Sequence, residues 1–132
     1  MGDGWAWVSL SAYSDDLSSN EIRDLLPGSA VSRTNPHLAS VRFTGSGSGT
    51  SLADLLAEVD TYLSSHRSEL RARLPEVDFQ LRIGWSPESP QESIVVSSML
   101  LAALTEIRAD VLIDTFDEAN GRENSSAEAP TP

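Results

Sequence analysis

The chain has 132 residues, a hydrophobic share of 39% and a charged share of 22%, which suits one folded domain, since independent cores need about 100 to 200 residues each. Its formal net charge of −11 repels nucleic-acid phosphates and anionic lipid headgroups, so no nucleic-acid or membrane partner is expected. It has no cysteine, which excludes disulfides, thiolate metal sites and thiol nucleophiles, and no lysine, which excludes Schiff-base chemistry and a Walker-type phosphate loop.

Trp5 to Tyr13 alternates as a strand does, with Ala6, Val8, Leu10 and Ala12 on one side and Trp5, Trp7, Ser9, Ser11 and Tyr13 on the other. Ser18 and Glu21 have capping-box spacing, Ile22, Leu25 and Leu26 form a short apolar stripe, and Pro27-Gly28 stops the turn, predicting a helix over about Ser19 to Leu26. Ala30 to Arg33 reads as a weak strand and Leu38 to Thr44 as a stronger one, joined by a turn at Asn35-Pro36. Gly45 to Gly49 is a flexible connector. It begins like a Gly-x-Gly-x-x-Gly phosphate cradle, but Thr50 stands at the last position.

Leucines and other apolar residues from Leu52 to Leu74 recur at helical spacing, so one long helix is predicted from Ser51 to Leu74, capped by Ser51 and Asp54 and ended by Pro75. Val77, Phe79, Leu81, Ile83 and Trp85 alternate with Asp78, Gln80, Arg82 and Gly84, the pattern of a half-buried strand. Ser86 to Pro90 is a loop, and Ile94 to Val96 reads either as a short strand or as the approach to a helix. Leu100, Leu101, Leu104 and Ile107 mark that helix, capped at Ser97 or Ser98, and Val111 to Phe116 is a closing strand. Beyond Asp117 no apolar residue is larger than Ala, so a single domain over 1–117 is expected to carry a disordered tail over 118–132.

Strand, helix, strand, strand, helix, strand is the order of a ferredoxin-like plait, here extended by a C-terminal helix and strand. The expected fold is therefore α+β, with helices on one face of a mainly antiparallel sheet.

Few residues point to chemistry. His66 falls beside the apolar stripe of the long helix and His37 follows a turn, and neither has the carboxylate spacing of a metal site. Asp15 and Asp16 precede a helix N-terminus, where negative charge is favourable for its own sake. Asp114, inside an apolar strand, needs an Arg or hydrogen-bonding partner if buried, with Arg82 and Arg42 as candidates. No catalytic residue, metal or cofactor is assigned. The candidate binding surface is the sheet face that would carry Trp5, Trp7, Arg42, Gln80, Arg82 and Asp114, because Trp and Arg give much contact for little entropy lost. Equally open at this point is that Trp5 and Trp7 lie under a loop or helix as satellite core.

Three stretches carry a family likeness: Trp7 to Tyr13 (WVSLSAY), Leu17 to Gly28 (LSSNEIRDLLPG), and Ile94 to Ile107 with Val111 to Phe116. Their order resembles the bacterial family known as domain of unknown function 4279. Two positions depart from that pattern: no tryptophan stands near Val41, and Arg108-Ala109 replaces the glycine expected before the last strand. The resemblance implies an α+β domain with a possible immunity role and no catalytic residues. The functional expectation is a non-catalytic protein-binding module, an immunity-type inhibitor of a basic toxin being its sharpest form. The alternatives are a small-molecule-binding or hydrolytic enzyme using Asp114 and Arg82, with His66 as an optional third group, and a structural homodimer that hides Trp5 and Trp7. No secretory signal or run of roughly 18 apolar residues is visible, so a cytoplasmic location is expected.

Overall fold

The computed structural model describes residues 5–44, 51–86 and 93–115. The chain runs β1 (Trp5–Tyr13), α1 (Ser19–Leu25), β2 (Ala30–Val31), β3 (Leu38–Phe43), α2 (Leu52–Ser65), α3 (Arg67–Ala72), β4 (Asp78–Ser86), α4 (Ser98–Glu106) and β5 (Asp110–Thr115). The five strands form one sheet in the order β2-β3-β1-β4-β5. β1 is antiparallel to both β3 and β4, β2 is antiparallel to β3, and β5 is parallel to β4. A ferredoxin-like plait would end at β4 in a wholly antiparallel sheet. Here α4 and β5 carry the chain past that point, so the described residues form an α+β fold with a mixed five-stranded sheet and four helices.

Strand alternation decides which face is covered. Val8, Leu10 and Ala12 of β1, Ala39, Val41 and Phe43 of β3, and Phe79, Leu81 and Ile83 of β4 point to one side and are buried. They join Ile22 of α1, Leu55, Leu56, Val59 and Leu63 of α2, Leu70 of α3, and Leu100, Ala103 and Leu104 of α4 in a single core cluster. Full burial of each Leu or Ile stabilises the fold by about 1.5–3 kcal/mol relative to exposure. All four helices therefore sit on this inner face. The other phase of the strands, from Trp7 on β1 to Leu112 on β5, contributes nothing to the cluster.

The expected long helix over Ser51 to Leu74 is broken. α2 ends with His66, whose φ of −118° and ψ of 18° leave the helical range, and α3 starts at the next residue. Between Leu63 and Leu70 the sequence offers Ser64, Ser65, His66, Arg67, Ser68 and Glu69. No apolar side chain there anchors another straight turn to the core, and serine favours non-helical backbone. The break re-aims α3 so that Leu70 is fully buried. Ile94 to Val96 is not a strand but an extended approach, with Ile94 and Val96 against the core and Ser97 accepting from the Leu100 amide as N-cap. β5 begins one residue before the expected Val111. Phe116, the Gly45 to Gly49 connector and the 118–132 tail lie outside the described residues.

α4 closes with paired backbone bonds from Arg108 to the Thr105 carbonyl (3.0 Å) and from Ala109 to the Leu104 carbonyl (2.9 Å). This is a Schellman turn, and it holds Arg108 at φ 54°, the left-handed region that favours glycine. The turn delivers the chain into β5 alongside β4.

Candidate functional site: the outer face of the sheet

The outer phase of β1 carries Trp7, Ser9, Ser11 and Tyr13. The register sets Trp7 opposite Gly84, Ser9 between Arg42 on β3 and Arg82 on β4, and Ser11 between Ser40 and Gln80. On β5, Asp110, Leu112 and Asp114 share this face, lying beside Gln80, Arg82 and Gly84.

Trp7 is half-buried although no helix among the described residues lies over it, because its indole rests on Gly84. A Cβ at position 84 would overlap the indole ring directly, so a strand-interior glycine here marks a close approach of side chain to backbone. The Arg42 guanidinium lies over the indole, 5.1 Å from the ring centroid, a cation–π contact worth about 0.5–1 kcal/mol at an exposed site. Ser9 and Ser11 are buried beneath their longer neighbours, and the Ser11 and Ser40 hydroxyls hydrogen-bond at 2.9 Å. The face is thus a narrow serine floor with Trp7 and Arg42 at one end and Tyr13 at the other. The Tyr13 hydroxyl donates to Asp15 (2.8 Å), and that bond to a carboxylate holds the Tyr13 pKa above its ordinary value.

Of the residues singled out in the sequence, Trp7, Arg42, Gln80, Arg82 and Asp114 share this one face. Trp5 is on the same phase of β1, its Cα opposite Ser86, while its side chain falls outside the described residues. Arg42 and Arg82 are exposed and Gln80 is partly so. Asp114 is not the buried charge that an apolar strand implies: its side chain is 43% exposed and its ion pair with Arg82 is loose at 3.9 Å. Such surface pairs contribute about 0–1 kcal/mol. Sequence reasoning missed Gly84, Ser9 and Ser40. Gly84 left a signal, since it interrupts the polar phase set by Gln80 and Arg82.

His66 lies in the helical layer, tilted against Tyr62 (4.6 Å between ring centroids) and 3.0 Å from Glu69 through Nδ1. Arg82 and Asp114 instead lie together on the outer sheet face. An open depression of about 350 Å³ at the α2–α3 joint is lined by Ser64, Ser65, His66, Arg67, Ser68 and Glu69, away from the outer sheet face. His37 Nδ1 is 2.8 Å from the Leu17 carbonyl and ties α1 to the start of β3. Among the described residues no three His, Asp or Glu side chains come together in a metal-binding group, and no helix is long and apolar enough to cross a membrane. No protein family, curated protein or solved structure matches the chain.

Proposed function

We propose that the chain is a non-catalytic protein-binding module whose contact surface is the outer face of the sheet. The observation that carries this reading is the Trp7–Arg42 stack over Gly84. It holds a large aromatic and a planar cation together on a sheet face that no helix among the described residues covers, so little side-chain entropy remains to be lost on docking. The net charge of −11 favours a basic partner through steering and complementarity. An immunity-type inhibitor of a basic toxin is the specific form of this reading, and it draws on the likeness of Trp7 to Tyr13, Leu17 to Gly28 and the closing helix and strand to the bacterial family named above. The order and antiparallel pairing of β1 to β4 support reading that part as a ferredoxin-like plait to which α4 and β5 have been added.

The test is co-expression with the products of adjacent genes, followed by affinity capture and titration of any recovered partner. Trp7→Ala or Arg42→Ala should weaken binding by about 2 kcal/mol, the scale of a hot spot and roughly 30-fold in affinity. Recovery of a partner indifferent to both substitutions, or of none from any adjacent gene, would overturn the assignment.

A further inference from the structure

The two edges of the sheet are unlike. β2 is two residues long, too short to template another strand. β5 is six residues long and pairs only with β4, so among the described residues nothing pairs with its outer edge. Val111, Leu112 and Ile113 follow one another on both phases of this strand and are 39%, 39% and 41% exposed. An edge strand of that length with apolar side chains on both faces invites a further strand unless something opposes it. What opposes it here is charge: Asp110 and Asp114 flank Leu112 on the outer phase.

Those two carboxylates also choose the occupant. In a second copy, two-fold antiparallel pairing centred on Leu112 would match Val111 with Ile113 but set Asp110 against Asp114 at both ends, between chains that each carry −11. Like charges directly opposite are unfavourable. The chain's own C-terminal residues suit the edge no better, with Asp117, Glu118, Glu123 and Glu128 against Arg122 alone. A basic strand meets neither objection, and the looseness of the Arg82–Asp114 pair leaves Asp114 free to accept a new cation.

We propose that β5 receives an extended segment of a basic protein partner as a sixth strand. The partner's Arg or Lys side chains lie on the outer phase against Asp110 and Asp114, and its apolar side chains lie on the phase of Val111 and Ile113. Backbone hydrogen bonds supply affinity and the alternation supplies specificity. This rests on the protein-binding reading above and adds how the partner is held.

The test titrates the isotope-labelled full chain at low salt with a short peptide of alternating Arg and Val, followed by amide NMR shifts and hydrogen exchange. The expected result is saturable shifts centred on residues 110–115, with slowed exchange there. A peptide of equal charge with a central Pro, which lacks a ladder hydrogen bond, should bind about tenfold more weakly. Leu112→Lys, at an exposed position, should weaken the alternating peptide, while Val95→Lys, which adds the same charge at an exposed position ahead of α4, leaves it unchanged. Equal binding of the Pro peptide, shifts centred on Trp7 and Arg42, or a concentration-dependent dimer joined through β5 would each overturn the proposal. With a natural partner in hand the two readings separate. Release by Trp7→Ala but not by Leu112→Lys sinks strand addition alone, and indifference to both sinks both.

Discussion

Gly84→Ala tests whether the outer face is organised around the indole. The new methyl group overlaps the Trp7 ring, and since the indole is only half-buried and the exposed Arg42 side chain over it can move, the indole swings outward while the backbone holds. The loss is about 50 Å² of apolar burial at ~25 cal/mol per Å², near 1.2 kcal/mol, together with ~0.5 kcal/mol of cation–π contact with Arg42. Against this stands the ordinary gain of Ala over Gly in a strand, about 0.5–1 kcal/mol. The net expectation is destabilisation by about 1 kcal/mol in urea melts, within the low end of overpacking, with Trp fluorescence shifted to longer wavelength. In a Trp7→Ala background only the strand preference remains, so the same substitution should stabilise by about 0.5–1 kcal/mol. A reversal of sign between the two backgrounds is the signature. Equal effects in both would show that Gly84 is not held open for Trp7.

Arg108→Gly relieves a left-handed residue at the end of α4 and should raise stability by about 0.5–1 kcal/mol in denaturant melts, after the greater unfolded-state freedom of glycine is set against the relieved strain. Ser18→Ala removes a reciprocal capping box in which the Glu21 amide donates to Ser18 Oγ and the Ser18 amide to Glu21 Oε1; a loss of about 1 kcal/mol is expected by the same assay. The half-buried Tyr62 hydroxyl donates to the Pro27 carbonyl at 2.6 Å, and burial, with the Glu69 charge as a lesser cause, pushes its pKa well up. The unfolded chain therefore loses this proton first, so stability is intact below about pH 10 and falls as pH rises beyond it. Tyr62→Phe should flatten that alkaline decline while costing about 1 kcal/mol at neutral pH through the lost hydrogen bond, as followed by melts across a pH series.

The strands were readable because their alternation is unbroken: every inner-phase residue from Val8 to Ala12 and from Phe79 to Ile83 is buried. α1 and α4 were readable from Ser18 and Ser97, whose hydroxyls accept from the amides three residues on. The break at His66 was not, because the leucine spacing on its two sides stays compatible with one helix, and the serines between Leu63 and Leu70 weaken that helix without marking where it breaks. The shared outer face of Trp7, Arg42, Gln80 and Arg82 follows from phase alone once the strands are neighbours. Which strands are neighbours does not, since the β1–β4 pairing joins residues 65 or more positions apart and no local pattern encodes it. Arg108 shows the converse: an arginine stands where the backbone takes a left-handed angle that favours glycine, and nothing in the local pattern of the chain discloses that angle.

β1 is made before the other strands yet lies in the middle of the sheet, with β3 along one side of it and β4 along the other. During synthesis its hydrogen-bonding groups on the β4 side must wait for a partner strand that ends only at Ser86. Until then the indole of Trp7 has no glycine to rest on and the alternate aliphatic residues of β1 have no complete helical roof. Pairings this distant along the chain slow folding and lengthen the interval in which an unpaired apolar strand can find the wrong neighbour. The excess of carboxylates offers protection in that interval, because nascent chains of like sign keep one another at a distance.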